Sequence, residues 1–188
     1  ALQELLQPGG DQDWRGVSAA IQKFVTASPV PVFIKEVGHG ISASSAEMLI
    51  DLGVSWIDVA GSGGTSWSQI EHIRSGREGV SAFADWGVNT KEAIEAIRSK
   101  KLSCMLVGSG GLRNGLDVAK VIRIGADMGA AAQPFLEPAR SSVNKTMQII
   151  ESWEKDFKIA MFSTGSQSVA KLKTAKLLTG GDASDTRD

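Results

Sequence analysis

The sequence predicts an α/β fold that forms part of a (β/α)8 barrel, namely its C-terminal half with about strands 5–8. Short apolar runs alternate with amphipathic helical patterns along most of the 188 residues. Helical patterns, rather than two-residue turns, separate the runs, which favours a parallel sheet with right-handed crossovers. In addition, two consecutive predicted strands end in glycine or other small residues, as strands do at the phosphate site of such a barrel.

Four short runs predict buried parallel strands, because they consist mainly of apolar residues, which in the fourth run are mostly small. They cover residues 31–36, 55–60, 104–108 and 127–132, and we expect a helix after each. Lys35 interrupts the first run. A lysine at the C-terminal end of a parallel strand would face the barrel mouth, where ligands bind. The alternative is a residue at the edge of the core, paired with Glu36 or another carboxylate.

The helices are predicted from apolar spacing and from cap residues. Residues 1–15 are expected to form a loop, because Pro8 and the glycines after it stop a helix. Ser42 or Ser44 is expected to cap one helix and Thr90 another. The spacing predicts helices over residues 16–27, 46–52, 91–99, 116–125, 137–163 and 168–178, and a helical turn followed by a surface loop over residues 68–82.

A glycine turn between the third strand and its helix is the strongest functional signal. Gly108, Gly110 and Gly111 leave the backbone open, and the free N–H groups and dipole of the next helix favour an anion. A tight turn without a ligand is the alternative. The small residues of the next strand, within 125–134, favour a phosphate site. Thr65, in another glycine loop, could donate its hydroxyl to a phosphate oxygen or form only a local turn.

Composition excludes several classes of protein. The chain is 42% hydrophobic and 22% charged with a net charge of −1, so no overall field attracts nucleic acid or an anionic membrane. The single cysteine, Cys104, is expected to be a small core residue of a strand. A cytoplasmic protein fits these features best. We expect one domain over residues 1–178 and a polar, disordered tail over residues 179–188.

The 188 residues are fewer than the roughly 200–250 of a complete barrel. We therefore expect the sequence to be the C-terminal part of a longer enzyme. Gln3 and Glu4, taken alone, would be two solvated polar residues.

Several motifs in order give the chain a family resemblance. They are Leu2-Gln-Glu-Leu-Leu-Gln-Pro8, Val32-Phe-Ile-Lys-Glu-Val-Gly-His-Gly-Ile-Ser42, Asp58-Val-Ala-Gly-Ser-Gly-Gly-Thr-Ser-Trp67, Phe83-Ala-Asp-Trp-Gly87, the stretch from Val107 to Lys120, and Gly125-Ala-Asp127. Together they resemble the type 2 isopentenyl-diphosphate isomerase family. The likeness covers nearly the whole chain except the tail.

The resemblance implies an enzyme that converts isopentenyl diphosphate to dimethylallyl diphosphate. It implies reduced FMN, which takes part in proton transfer, a divalent cation such as Mg2+, and NADPH or another reductant. It also implies a homo-oligomer, a tetramer or an octamer.

By position in the motifs, the resemblance assigns roles to individual residues. Gln3 matches a catalytic, substrate-binding glutamine, and Glu4 matches a metal-binding glutamate. Lys35 and Thr65 match residues that contact the flavin. The matches to the FMN-phosphate site are Gly110, Gly111, Leu112, Arg113, Ala132 and Gln133.

The chain departs from the family at three points. Ala60 replaces a common serine, and Asn89 stands where proline is usual. The family's N-terminal half, which carries a diphosphate clamp, is not in this sequence, so we expect the isolated chain to be inactive.

Two other interpretations remain open. One is a different FMN-barrel oxidoreductase, such as a 2-hydroxy-acid oxidase, which would need a histidine base near the last strands. His39 and His72 precede those strands. The other is an inactive half-barrel fragment.

Overall fold

The computed structural model describes residues 2–178 and contains one four-stranded parallel sheet within them. The strands follow chain order: β1 Phe33–Lys35, β2 Trp56–Asp58, β3 Met105–Ser109 and β4 Met128–Ala130. Lys35 is in register with Asp58, and Ser109 with Ala130. The four predicted strands and their parallel pairing are therefore confirmed. The predicted tail, 179–188, lies outside the described residues.

Helices flank every strand, as expected. They are α1 Leu2–Leu6, α2 Val17–Ala27, α3 Ala43–Asp51, α4 Trp67–Arg74, α5 Thr90–Ser99, α6 Gly115–Arg123, α7 Gln133–Ser141, α8 Val143–Ser163 and α9 Val169–Leu172.

Two predicted segments differ from the structure in where their helices lie. Residues 1–15 are not all loop, because α1 completes its turn before Pro8 can stop it, and Gln7 N–H donates to the Gln3 carbonyl. The single segment predicted over 137–163 is two helices. Ser142 is extended, with φ −171°, and its hydroxyl accepts a hydrogen bond from Lys145 N–H, so it ends α7 and caps α8.

Two further predicted boundaries are wrong. Residues 68–82 hold a full two-turn helix, α4, whose N-cap Ser66 accepts from Gln69 N–H. The helix predicted over 168–178 is shorter in the structure, where only α9, Val169–Leu172, is helical.

The predicted cap of α5 is also wrong. Asn89 caps this helix, because its side-chain oxygen accepts from Glu92 N–H at 2.9 Å. Thr90 is the first helical residue instead, which leaves its hydroxyl free for another partner. Ser42 caps α3 as expected and accepts from Ser45 N–H at 3.1 Å.

The core lies between one face of the sheet and the helices. Ile57 and Leu106 point from the sheet into this core, and Ile94 and Ile97 of α5 meet them there with no exposed surface. Because strand side chains alternate between faces, the residues beside them in sequence point to the opposite face. There Phe33, Met105 and Met128 are exposed.

An ion-pair cluster fastens β4 to β3 at the N-terminal ends of the strands. Arg98 donates to Asp127 Oδ2 at 2.6 Å, and Lys173 Nζ pairs with Asp127 Oδ1. Leu106 N–H also donates to Asp127 Oδ2, at 2.9 Å. Cys104 lies one residue before β3 rather than in it, and burial raises the pKa of its thiol. The cluster thus aligns the two strands whose opposite ends reach the cavity described below.

We expect Asp127→Asn to lower the free energy of unfolding at neutral pH. The variant's free energy of unfolding should also fall less than that of wild type on acidification. Burial alone would raise the pKa of Asp127, but the hydrogen bonds from Lys173 and Leu106 and the charge of Arg98 hold that pKa below its ordinary value. A depressed native pKa contributes stability above the unfolded value of about 3.9, and this is lost as pH falls through the native pKa.

Urea unfolding at a series of pH values from neutral to acid measures this effect. Asp51→Asn, at the exposed end of α3, is the control. If wild type and Asp127→Asn lost stability equally on acidification, the ion-pair assignment would be wrong.

Candidate functional site

An open cavity of ≈ 780 Å³ lies at the C-terminal ends of the strands, lined by the loops that follow all four of them. This volume lies within the usual range for small-molecule and cofactor sites. The structure brings together nine residues that the sequence predicted for a site: Gln3, Lys35, Thr65, Gly110, Gly111, Leu112, Arg113, Ala132 and Gln133.

Two of the glycine loops that line this cavity interlock. Gly110 has φ +99°, and a Cβ added there would lie 2.1 Å from the Gly61 carbonyl oxygen. A Cβ on Gly111, with φ +77°, would lie 2.6 Å from the Gly63 carbonyl oxygen. Both contacts are with backbone, which cannot move aside as a flexible side chain can. Side chains are therefore excluded here, and the backbone itself forms the surface.

Free amide groups line the same part of the cavity. Within residues 2–178, the N–H groups of Gly110, Gly111 and Leu112 donate no hydrogen bond, nor do those of Ala132 and Gln133. Ala132 and Gln133 form the start of α7, whose N-terminus has no side-chain cap. Unpaired amides at a glycine turn and at a helix N-terminus favour an anion with several oxygen atoms.

Lys35, at the C-terminal end of β1, also lines the cavity and carries a positive charge. Its Nζ donates to the backbone carbonyl of Glu36 at 2.8 Å and not to the Glu36 carboxylate, so the alternative of a carboxylate pair with Glu36 is wrong. Glu36 Oε2 instead accepts from the amides of Val37, Gly38 and His39, at 2.6, 2.9 and 2.7 Å. Glu36 thereby fixes the loop after β1 and the carbonyl that holds Lys35.

Asp58 and Ser109 line the cavity without having been predicted for it. Asp58 is 4% exposed, and its Oδ1 accepts from Ala60 N–H at 3.0 Å and from the Ser109 hydroxyl at 2.7 Å. Ala60 has φ +35°, a strained value for a residue with a side chain. Asp58 could have been predicted as a site residue, because it is a carboxylate at the C-terminal end of the apolar strand Trp56–Asp58.

Glu4 is the one predicted site residue that the cavity lining does not include. Its Oε2 accepts from Gln7 Nε2 at 2.7 Å and from Asp11 N–H at 3.0 Å. In addition, the described residues contain no group of three or more histidine, cysteine or acidic side chains that could hold a metal ion. The structure thus places Gln3, but not Glu4, at the cavity.

The two histidines also lie away from the cavity lining. His39 is buried. The ring Nε2 of His72, on α4, lies 3.1 Å from the Glu78 carbonyl oxygen. Among the described residues, the histidine base that a 2-hydroxy-acid oxidase would need is therefore not at this site. No helix in residues 2–178 has both the length and the apolar character that a membrane span requires.

Comparison with known protein families gives one match over most of the chain. The FMN-dependent dehydrogenase family matches residues 10–179.

Curated proteins give closer relatives. Isopentenyl-diphosphate delta-isomerases from Stutzerimonas stutzeri and Pseudescherichia vulneris are 45% and 46% identical, each over 94% of this chain and 52% of the relative. One from a Nostoc species is 43% identical over 92% of this chain and 50% of the relative. The chain thus spans about half the length of the curated relatives it matches.

Solved structures agree on the architecture. A lactate oxidase from Pediococcus acidilactici matches with a TM-score of 0.68 and 22% identity, over 90% of this chain and 42% of that one. A mandelate oxidase matches with a TM-score of 0.67 and 20% identity, over 87% and 43% of the two chains. At these identities the likeness extends to the fold alone.

Proposed function

Since the chain belongs to the FMN-dependent dehydrogenase family, we propose that its cavity binds FMN and serves the isomerisation of isopentenyl diphosphate to dimethylallyl diphosphate. The observation that carries the proposal is the convergence on one cavity of nine predicted site residues, five of which have unpaired amides among the described residues. The substrate assignment is supported by relatives that are named isopentenyl-diphosphate delta-isomerases.

The chain's own residues fit the phosphate of FMN. The amides of Gly110, Gly111 and Leu112 would hold it from one loop, and those of Ala132 and Gln133 from the N-terminus of α7. Arg113 also lines the cavity, and its largely exposed guanidinium, which contacts Asp117 through Nε, would add positive charge. Thr65 would offer a hydroxyl to the same cofactor.

Reduced FMN would supply acid–base chemistry at the substrate's alkene. Lys35 would hold a positive charge near the electron-rich edge of the reduced ring. Gln3 cannot act as a general base of ordinary strength, because its amide does not ionise. We propose that it orients the alkene end of the substrate by hydrogen bonding.

We propose Glu4 as a ligand of Mg2+ in the complete site, because Mg2+ is often held by one or two carboxylates together with substrate phosphates. To bind the ion, Glu4 would have to exchange its present contacts with Gln7 and Asp11. NADPH is the proposed reductant of the flavin.

We infer that the four strands are the last four of an eight-stranded barrel. Phosphate sites in such barrels are built from the loops after strands 7 and 8, which would correspond to β3 and β4 here. The exposed apolar side chains Phe33, Met105 and Met128 on the inner face are consistent with cover by further strands. The proposed activity is that of the completed barrel, as a homo-oligomer.

We expect Lys35→Met to weaken binding of reduced FMN more than binding of oxidised FMN. The variant keeps a long apolar stem but removes the cation, which interacts best with the ring that has gained electrons. The flavin midpoint potential should therefore become more negative, by about 30 mV for each tenfold difference between the two affinities.

Redox titration of the flavin-loaded protein measures this shift. Lys155→Met is the control, because Lys155 is an exposed residue of α8 that does not line the cavity. An unchanged potential in Lys35→Met would remove Lys35 from the flavin site.

A further inference from the structure

Thr90 lies directly behind the glycine turn that follows β3. Its Oγ1 is 2.8 Å from the Ser109 carbonyl oxygen and 2.7 Å from the Gly110 carbonyl oxygen, and the residue is 8% exposed. Thr90 does not line the cavity, whereas Gly110 and Gly111 do. We propose that Thr90 is a positioning residue that makes this turn an anion site by holding its carbonyls away from the ligand.

The argument follows from the geometry of the peptide bond. In a planar trans peptide the C=O of one residue and the N–H of the next point in opposite directions. The Ser109 carbonyl shares its peptide with the Gly110 amide, and the Gly110 carbonyl shares its peptide with the Gly111 amide. The Thr90 hydroxyl has a single proton, which the two carbonyls share, so both carbonyls lie on its side of the turn and both amides point to the other.

The neighbouring backbone explains why the turn needs this support. The Ser109 carbonyl also accepts from Gly61 N–H at 2.8 Å, but within residues 2–178 the Gly110 carbonyl has only the Thr90 hydroxyl as a hydrogen-bond partner. Glycine allows the peptide between residues 110 and 111 to rotate more freely than other residues would. A flipped peptide would present a carbonyl oxygen to a phosphate and repel it.

The local sequence leaves Thr90 available for this role. Asn89 caps α5, so the threonine hydroxyl is not used at the helix start. Gly61 packs against Thr90 so closely that an added Cβ would lie 2.3 Å from Thr90 N and 2.5 Å from its Oγ1. The hydroxyl is therefore confined between the two glycine loops, with the two carbonyls as its acceptors.

Thr90→Val and Thr90→Ala, with Thr90→Ser as the matched control, test the inference in the intact protein. Valine keeps the shape but not the donor, alanine removes the donor without placing a methyl group against the carbonyls, and serine keeps the hydroxyl. The measurement is the affinity of each apoprotein for FMN and for riboflavin, which lacks the phosphate. Loss of one hydrogen bond that orients a charged ligand should weaken FMN binding about tenfold in the valine and alanine variants.

Riboflavin affinity should stay unchanged in all variants, and the serine variant should bind FMN like wild type. If FMN affinity were unchanged without the hydroxyl, or if both flavins lost affinity equally, Thr90 would have only a general structural role and the inference would fail.

The inference depends on the proposed FMN site, and wild type tests that site separately. If wild type bound riboflavin as tightly as FMN, the phosphate site itself would be contradicted before any variant is considered.

Discussion

Replacing Gly111 with alanine is expected to abolish retention of FMN by the purified protein. The added Cβ would lie 2.6 Å from the Gly63 carbonyl oxygen, which belongs to the backbone of the other interlocked loop. The turn would have to move away from the second loop, which would displace the free amides of Gly110 and Gly111. Flavin absorbance per mole of purified protein measures the loss.

Gly76 provides a matched control for the backbone conformation. Its φ is +76° against +77° for Gly111, but an added Cβ at Gly76 would meet nothing within 4 Å. In both variants the alanine must adopt the left-handed backbone conformation, which lowers stability by about 1–2 kcal/mol. Only Gly111→Ala should also lose FMN. Equal flavin content in the two variants would show that the loop contact does not shape the cofactor site.

Substitutions of Gln3 and Glu4 are expected to give two different kinetic defects in the isomerisation of isopentenyl diphosphate. Glu4→Gln should raise the Mg2+ concentration needed for half-maximal rate, by about tenfold or more, because a charged oxygen ligand of a hard cation becomes neutral. Substrate KM should rise with it, since the ion would neutralise the diphosphate beside the carboxylate.

Gln3→Ala should instead lower kcat, on the order of a hundredfold, as expected when a reacting group loses its orientation. Its Mg2+ dependence should stay close to that of wild type. Steady-state rates over a range of Mg2+ concentrations, with reduced FMN, separate the two effects. The same defect in both variants, or none in either, would contradict the separate roles.

The strands and the glycine turn could be predicted because their signals are local. Short apolar runs define the strands. The glycines at positions 108, 110 and 111 indicate a turn whose backbone is open to close approach. The residues that pack against that turn are distant in the sequence. Gly61 and Gly63 pack against Gly110 and Gly111 across roughly 50 residues of sequence, and no periodic pattern records such a contact.

Thr90 shows why a local rule can fail at a functional site. Threonine before a helical pattern is a good N-cap, but Asn89 is a stronger one and lies one residue earlier. The hydroxyl of Thr90 then bonds carbonyls 19 and 20 residues away. Asp58 was missed for a related reason, since its partner Ser109 is 51 residues distant.

The measurement that tests the phosphate site most directly is an NMR titration of protein labelled with ¹⁵N-glycine, with FMN and riboflavin added separately. We predict that the amide resonances of Gly110 and Gly111 shift downfield with FMN, because their free N–H groups gain a charged acceptor. Riboflavin should leave those two resonances nearly unchanged. Equal shifts with both flavins, or FMN-induced shifts confined to other glycines, would contradict the account.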